Sequence, residues 1–178
     1  MEEHLAQYGA DMESPPPRPP ALRVMRANTA EEREILEAFL DFYRDIVVHK
    51  IAGVDDQAAR ARLVPSMTTL AGLVRHLTTV ERNWFHRLTG EDPELPDSSW
   101  ELSDAHTPSV LIEEYERVCA VSRRAAAGFA LDDVIPHPDA GQVSVRWIYV
   151  HMIEETARHA GHADILRELT DGSTGVLG

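Results

Sequence analysis

A single cysteine, Cys119, occurs in the 178-residue chain, so no intrachain disulfide and no cysteine-based zinc site can form. A lone thiol suits a reducing compartment. Long apolar runs are also missing: nothing approaches the roughly 20 residues that span a bilayer, and the N-terminus has no basic flank leading into an apolar segment. These absences predict a soluble, cytoplasmic protein. Positive charge is scarce, with 17 Lys and Arg against 30 Asp and Glu, and the formal net charge of -13 disfavours nucleic acid and anionic membranes as partners. The sequence also lacks a glycine-rich phosphate loop, an HExxH pair and a nucleophile elbow.

What remains is enough for one domain with a hydrophobic core. Residues 1–22 stand apart, because the run from Pro15 to Pro20 cannot continue a helix and favours extended geometry. They are expected to form a flexible proline-rich extension to a folded unit at 23–178.

Four amphipathic stretches follow. The first is predicted to start at a Thr29 cap, to place Glu31, Glu32 and Glu34 near the positive end of its dipole, and to turn Ile35, Phe39, Phe42 and Ile46 inward before Gly53. The second is predicted from a Ser66 cap to Gly90, with Leu70, Leu73, Leu77, Val80, Trp84 and Leu88 facing the core. Thr107-Pro108 opens a third, which buries Leu111, Tyr115, Val118 and Val121 and stops near Gly128. Residues Leu131 to Gln142 read as a loop, and a fourth helix runs from about Ser144 to Asp171, closing at Gly172. The expected fold class is all-α, a four-helix bundle whose facing helices meet in the interior. A homodimer is open to such a bundle through a symmetric surface patch.

The fourth stretch carries the chemistry. Ile148, His151, Glu155, His159, His162, Leu166 and Leu169 follow one another in steps of 3, 4, 4, 3, 4 and 3, tracing one helical face that is apolar at its ends and ionisable in its middle. Helix faces of this kind are normally buried, and an unpartnered buried charge costs several kcal/mol. Glu155 and His159 are helical neighbours, and His76 lies on the inward face of the second helix, between Leu73 and Val80. His76, Glu155 and His159 together offer two imidazoles and a carboxylate with coordination positions left open, a set that suits zinc and also accepts iron or nickel. A second arrangement fits the same residues without a metal: the histidines and Glu155 satisfy one another by hydrogen bonds.

His162 and His151 flank this set by one turn each. For His162 the roles of fourth ligand, hydrogen-bond donor to a ligand and general acid–base all stand open. His151 either orients Glu155 or lies at the core edge. Cys119 reads as a small buried residue, and Trp84, Phe85 and Trp147 read as packing residues. His49, His86, His106 and His137 lack helical pairing with a carboxylate and are expected at the surface or in loops.

The segments Leu73 to Phe85 and Glu154 to Asp164 resemble the DinB superfamily, and more narrowly its mini-circle-protein-like branch, over about residues 25–172. The resemblance implies a four-helix bundle with a divalent metal held by one residue of the second helix and two of the last, which here would be His76, Glu155 and His159. Many relatives carry His-x3-His on the last helix. Glu155 departs from that pattern, but the resulting set is similar to that of the mycothiol-dependent maleylpyruvate isomerases of the superfamily. His162 falls where many relatives have glutamine. Known enzymes of the superfamily are largely thiol-dependent, so the resemblance implies activation of a low-molecular-weight thiol, mycothiol first, for S-transfer to, or isomerisation of, a small electrophile, with detoxification as one use. A metal- or small-molecule-binding bundle without catalysis is the alternative, and a purely structural bundle is a third.

Overall fold

The computed structural model describes residues 23–90, 93, 95 and 98–175. The proposed N-terminal extension lies outside the described residues. The elements are α1 (Arg23–Arg26), α2 (Glu32–Ile51), α3 (Asp56–Ala59), α4 (Leu70–Phe85) with a 3-10 turn (His86–Thr89) continuing it, α5 (Pro108–Ala127), β1 (Val134–His137), β2 (Gly141–Ser144) and α6 (Val145–Asp171). The four long helices are those expected, and the fold is predominantly α-helical. No described helix is long and apolar enough to cross a membrane.

Several boundaries differ from expectation for local reasons. Thr29 is not the cap of α2: the short helix α1 ends in turns that bond Ala27 N to Arg23 O and Ala30 N to Ala27 O, which moves the start to Glu32 with Glu31 at the cap position. Ser66 does not cap α4 either. Its hydroxyl pairs with Thr68, and Thr69 Oγ1 accepts from Gly72 N at 3.0 Å. Thr107, Pro108 and Gly128 bound α5, and Ser144 and Gly172 bound α6, as the sequence indicates. The stretch from Leu131 to Gln142 is not simply a loop. Strands β1 and β2 pair antiparallel there, with Ile135 opposite Val143 and His137 opposite Gly141. Gly141 takes a positive φ of 74°, which a side chain would resist, and the hairpin delivers the chain directly to the Ser144 cap of α6.

Helix α2 packs most extensively on α6, and α4 on α5. Their buried side chains form two apolar clusters. One contains Ile46, Val47, Leu73, Leu77, Tyr115, Cys119 and Ala160; the other contains Leu40, Phe85, Ala126, Ile148 and Met152. Each long helix also buries a polar residue at the junction of the two clusters: Arg44, Glu81, Ser122 and Thr156. Each is flanked along its own helix by a member of either cluster. Arg44 and Glu81 form a bidentate pair, Nε to Oε1 and a terminal nitrogen to Oε2, both at 2.7 Å. Arg44 also reaches Asp41 at 2.9 Å, and Asp41 in turn holds Arg123 of α5 at 2.8 Å.

This polar pairing redirects α2. Because Arg44 faces inward, Phe39 is 41% exposed rather than buried, and Ala38, Leu40, Ile46, Val47 and Ile51 make the core face. On α5, Val121 is half-buried while Cys119, Ser122 and Ala126 are buried. The C-terminal half of α2 is tied to α6 by Lys50, whose ammonium meets Asp164 at 2.9 Å, and by Arg167, which donates to the carbonyls of Lys50 and Ala52 at 3.0 Å. Those carbonyls lie at a helix end, where intrahelical donors run out.

Removing one member of a buried ion pair strands the other charge, whereas replacing both with apolar groups does not. Glu81→Ala should therefore lower the unfolding free energy by about 3–5 kcal/mol in urea titration, and Arg44→Leu/Glu81→Leu should recover most of that loss. A single variant as stable as the parent would show that the pair contributes nothing.

Candidate metal centre

One turn of α6 separates Glu155 from His159, so both side chains leave the helix on the same side. Helix α4 brings His76 opposite them. His76 Nε2 lies 3.2 Å from Glu155 Oε1, and His159 Nε2 lies 3.1 Å from the same oxygen. One ligand atom from each residue falls within 4.8 Å of the others. His76 and Glu155 are partly buried and His159 is buried. All three residues expected to converge do so.

The outer atoms of this set are also engaged. His76 Nδ1 is 2.9 Å from Ser99 Oγ, His159 Nδ1 is 3.3 Å from His162 Nδ1, and Arg158 holds Glu155 Oε2 at 3.1 Å. Two proton arrangements satisfy these contacts. With a cation present, His76 and His159 direct the bare Nε2 lone pairs inward and donate from Nδ1 to Ser99 and His162. Without one, both Nε2–H groups donate to Glu155 Oε1 and the Nδ1 atoms accept. The donor set of two imidazoles and a carboxylate oxygen fits a divalent transition metal, and Nδ1 partners of the kind seen here are those that orient metal-ligating histidines.

The electrostatics keep Glu155 and His159 in forms able to hold a cation. Burial pulls the Glu155 pKa upward, but the hydrogen bond from His76 and the charges of His159 and His76 outweigh it and hold the carboxyl below its ordinary value. Burial depresses His159, against the opposing pull of Glu155. A carboxylate and a neutral imidazole are the states that can donate lone pairs.

Trp100 closes one side. Its ring stacks on His76 with centroids 4.4 Å apart and planes inclined by 10°, and it passes over Gly72, where a Cβ would come within 3.4 Å of Trp100 Cε3 and 3.0 Å of Thr69 Oγ1. Glycine at 72 and histidine at 76 thus share the α4 surface that receives this indole. Sequence reasoning missed Ser99, Trp100 and Arg158. The first two sit in the connection between α4 and α5, where an aromatic residue among prolines, aspartates and serines is the available signal.

Some of the remaining histidines lie where the sequence places them and others do not. His162 is exposed at the rim. His151 lies 3.9 Å from Glu154 Oε2 and stacks on Trp147, so it belongs to an aromatic cluster rather than orienting Glu155. His137 is buried, not at the surface, and stacks on Trp84 at 4.2 Å. His86 is partly buried with Nε2 3.3 Å from the Val118 carbonyl. His106 lies in its expected loop, its Nδ1 accepting from Ser103 N at 2.9 Å. His49 is only partly exposed on α2. Cys119 is buried as expected, and burial pushes its thiol pKa far up. Phe85 is a core residue, whereas Trp147 is 45% exposed.

Burial holds the imidazoles of His86, His137, His151 and His159 below the ordinary histidine pKa, and is the largest cause in each case. The unfolded chain therefore binds these protons more tightly, unfolding takes up protons, and stability is lost as pH falls below that value. The urea midpoint of chelator-treated protein should be lower at pH 5.5 than at pH 7.5. An unchanged or higher midpoint at the acidic pH would contradict the burial of these imidazoles in neutral form.

No curated protein and no solved structure shows significant similarity to the sequence. A family model described as mycothiol-S-transferase matches residues 35–172, a span that begins within α2 and ends just past α6, enclosing His76, Glu155 and His159. With most of its length covered by that match, this chain belongs to the mycothiol S-transferase family, a family of DinB-like transferases.

Proposed function

We propose that the protein transfers the sulfur of mycothiol to a small electrophile, using a divalent ion held by His76, Glu155 and His159. The observation that carries this reading is the convergence of two imidazole Nε2 atoms on one Glu155 oxygen, in a chain of a family named for mycothiol transfer. Zinc is the first choice for such a set, with nickel or iron as alternatives. When bound, the ion supplies Lewis acidity that lowers the pKa of an incoming thiol and favours the reactive thiolate.

The protein residues do the rest. Ser99 and His162 fix the orientation of the two imidazoles through their Nδ1 atoms. Trp100 covers His76 and keeps water from that side. His162, exposed beside His159, takes up at Nδ1 the proton released by the thiol as its hydrogen bond with His159 opens, and passes it to solvent, a task within reach of an imidazole. Cys119 has no part in the chemistry, since a buried thiol with a strongly raised pKa makes a poor nucleophile. The net charge of -13 favours small-molecule partners over nucleic acid or anionic membrane, and we assign the protein to the cytoplasm, where a reduced lone cysteine persists.

Purified protein should consume mycothiol only when metal and electrophile are both present, and chelation should abolish that turnover. Cys119→Ser should retain most of the activity, while His162→Ala should slow turnover about 10²-fold or more with the metal still bound. Full metal occupancy without thiol-dependent turnover across a panel of electrophiles would favour a binding protein over a transferase. Loss of activity in a folded, metal-loaded Cys119→Ser protein would overturn the use of an external thiol.

A further inference from the structure

Helices α4 and α6 run antiparallel along the seam that holds His76, Glu155 and His159. Eight residues beyond His76, Trp84 meets α6 again. There its ring lies 4.5 Å from His151 and 5.2 Å from Trp147, centroid to centroid. His137, delivered by the hairpin, stacks on Trp84 at 4.2 Å and 13°, and His151 stacks on Trp147 at 5.1 Å and 15°. A second constellation of ionisable and aromatic groups therefore lies on the same seam, displaced from the first by about 12 Å at the helical rise of about 1.5 Å per residue.

One feature of this cluster is not explained by packing. Trp147 is 45% exposed although it is fixed by His151 on one face and by Trp84 beside it, so a rigid aromatic surface is presented to solvent. His137 is buried, and its Nδ1 accepts from the backbone N–H groups of Asp139 and Ala140 at 3.2 and 3.3 Å. That bonding puts its proton on Nε2, and Nε2 has no hydrogen-bond partner among the described residues. The cluster thus presents a pre-ordered stacking surface, while its one unpartnered N–H donor is enclosed by the protein.

We infer that this cluster is the subsite for the carbohydrate portion of the thiol substrate, with Trp147 as the platform on which a polyhydroxylated ring stacks. The inference rests on the mycothiol reading above and adds a location and a residue to it. Mycothiol joins an N-acetylcysteine to glucosamine and inositol, so its sulfur is separated from the inositol ring by roughly 10 Å of extended bonds, comparable to the distance from the ligand set to the cluster. The C–H face of such a ring matches an indole surface. Because Trp147 is already held in place, little side-chain freedom is lost when a ligand settles on it.

The test uses the full chain and two probes. Saturation-transfer NMR with glucosaminyl-inositol, which lacks the cysteinyl thiol, should show saturable binding to the parent protein and none to Trp147→Ala. In turnover assays Trp147→Ala should raise the KM for mycothiol about tenfold, leaving kcat within about twofold, and Trp147→Phe should restore part of the loss. Absence of disaccharide binding to the parent, equal binding to Trp147→Ala, or a rise confined to the KM of the electrophile would overturn the inference while leaving the transferase reading intact. Disaccharide binding that depends on Trp147, in a protein that turns over no mycothiol, would keep the subsite and discard the transferase reading.

Discussion

Two ionised side chains, Arg44 and Glu81, meet in the middle of an apolar interior, and their bidentate geometry tolerates no sliding of α2 along α4. A slip of one helical turn, about 5.4 Å, would strand both charges away from water at a cost of several kcal/mol. Helix α6 is fixed to α2 in its turn by Lys50 with Asp164 and by Arg167 on the last carbonyls of α2. The register of α4 against α6 follows from these two constraints together. That register sets His76 opposite Glu155 and His159, so a buried pair outside the candidate site determines whether its three side chains meet.

The same logic explains how one seam carries two different environments. Near His76 the neighbours are polar and few: Ser99, Arg158 and His162 each engage an outer atom of a ligand, while Trp100 shields one face. Two turns along, Trp84, Trp147, His137 and His151 offer flat surfaces and little charge. A substrate with a reactive sulfur at one end and bulky hydroxylated rings at the other would find complementary chemistry at both ends. Cys119, buried on α5 with its pKa pushed far up, leaves the chain without an internal thiol able to compete.

Much of this was legible in the residues, and the reasons differ by element. Helices α5 and α6 were bounded correctly because Thr107-Pro108, Ser144 and Gly172 act through local backbone geometry alone. The convergence of His76, Glu155 and His159 was legible because three and four residue spacings on a helix translate directly into a shared face. The hairpin was missed because two strands of four residues are too short to display alternation against a background of Pro, Asp and Gly. Arg44 and Glu81 were missed for a different reason: charged residues in an amphipathic pattern read as solvent-facing, and only a partner from another helix makes burial tolerable. Phe39 was misplaced as a consequence, since rotating α2 to admit Arg44 moves that ring outward. Ser99 and Trp100 could not be connected to His76 from sequence because the contact depends on how a long connection folds back over Gly72.

We hold that the contacts between His76, Glu155 and His159 serve to bind a divalent ion and not to satisfy one another. Both alternatives fit the hydrogen-bond distances, because each imidazole has a second partner that accommodates either tautomer. Elemental analysis of protein purified without added metal separates them most directly. The account predicts about one divalent transition-metal ion per chain, lost in a folded His76→Ala/Glu155→Ala/His159→Ala protein. Metal-free parent protein that also fails to take up zinc, or stoichiometric metal retained by the triple variant, would contradict it.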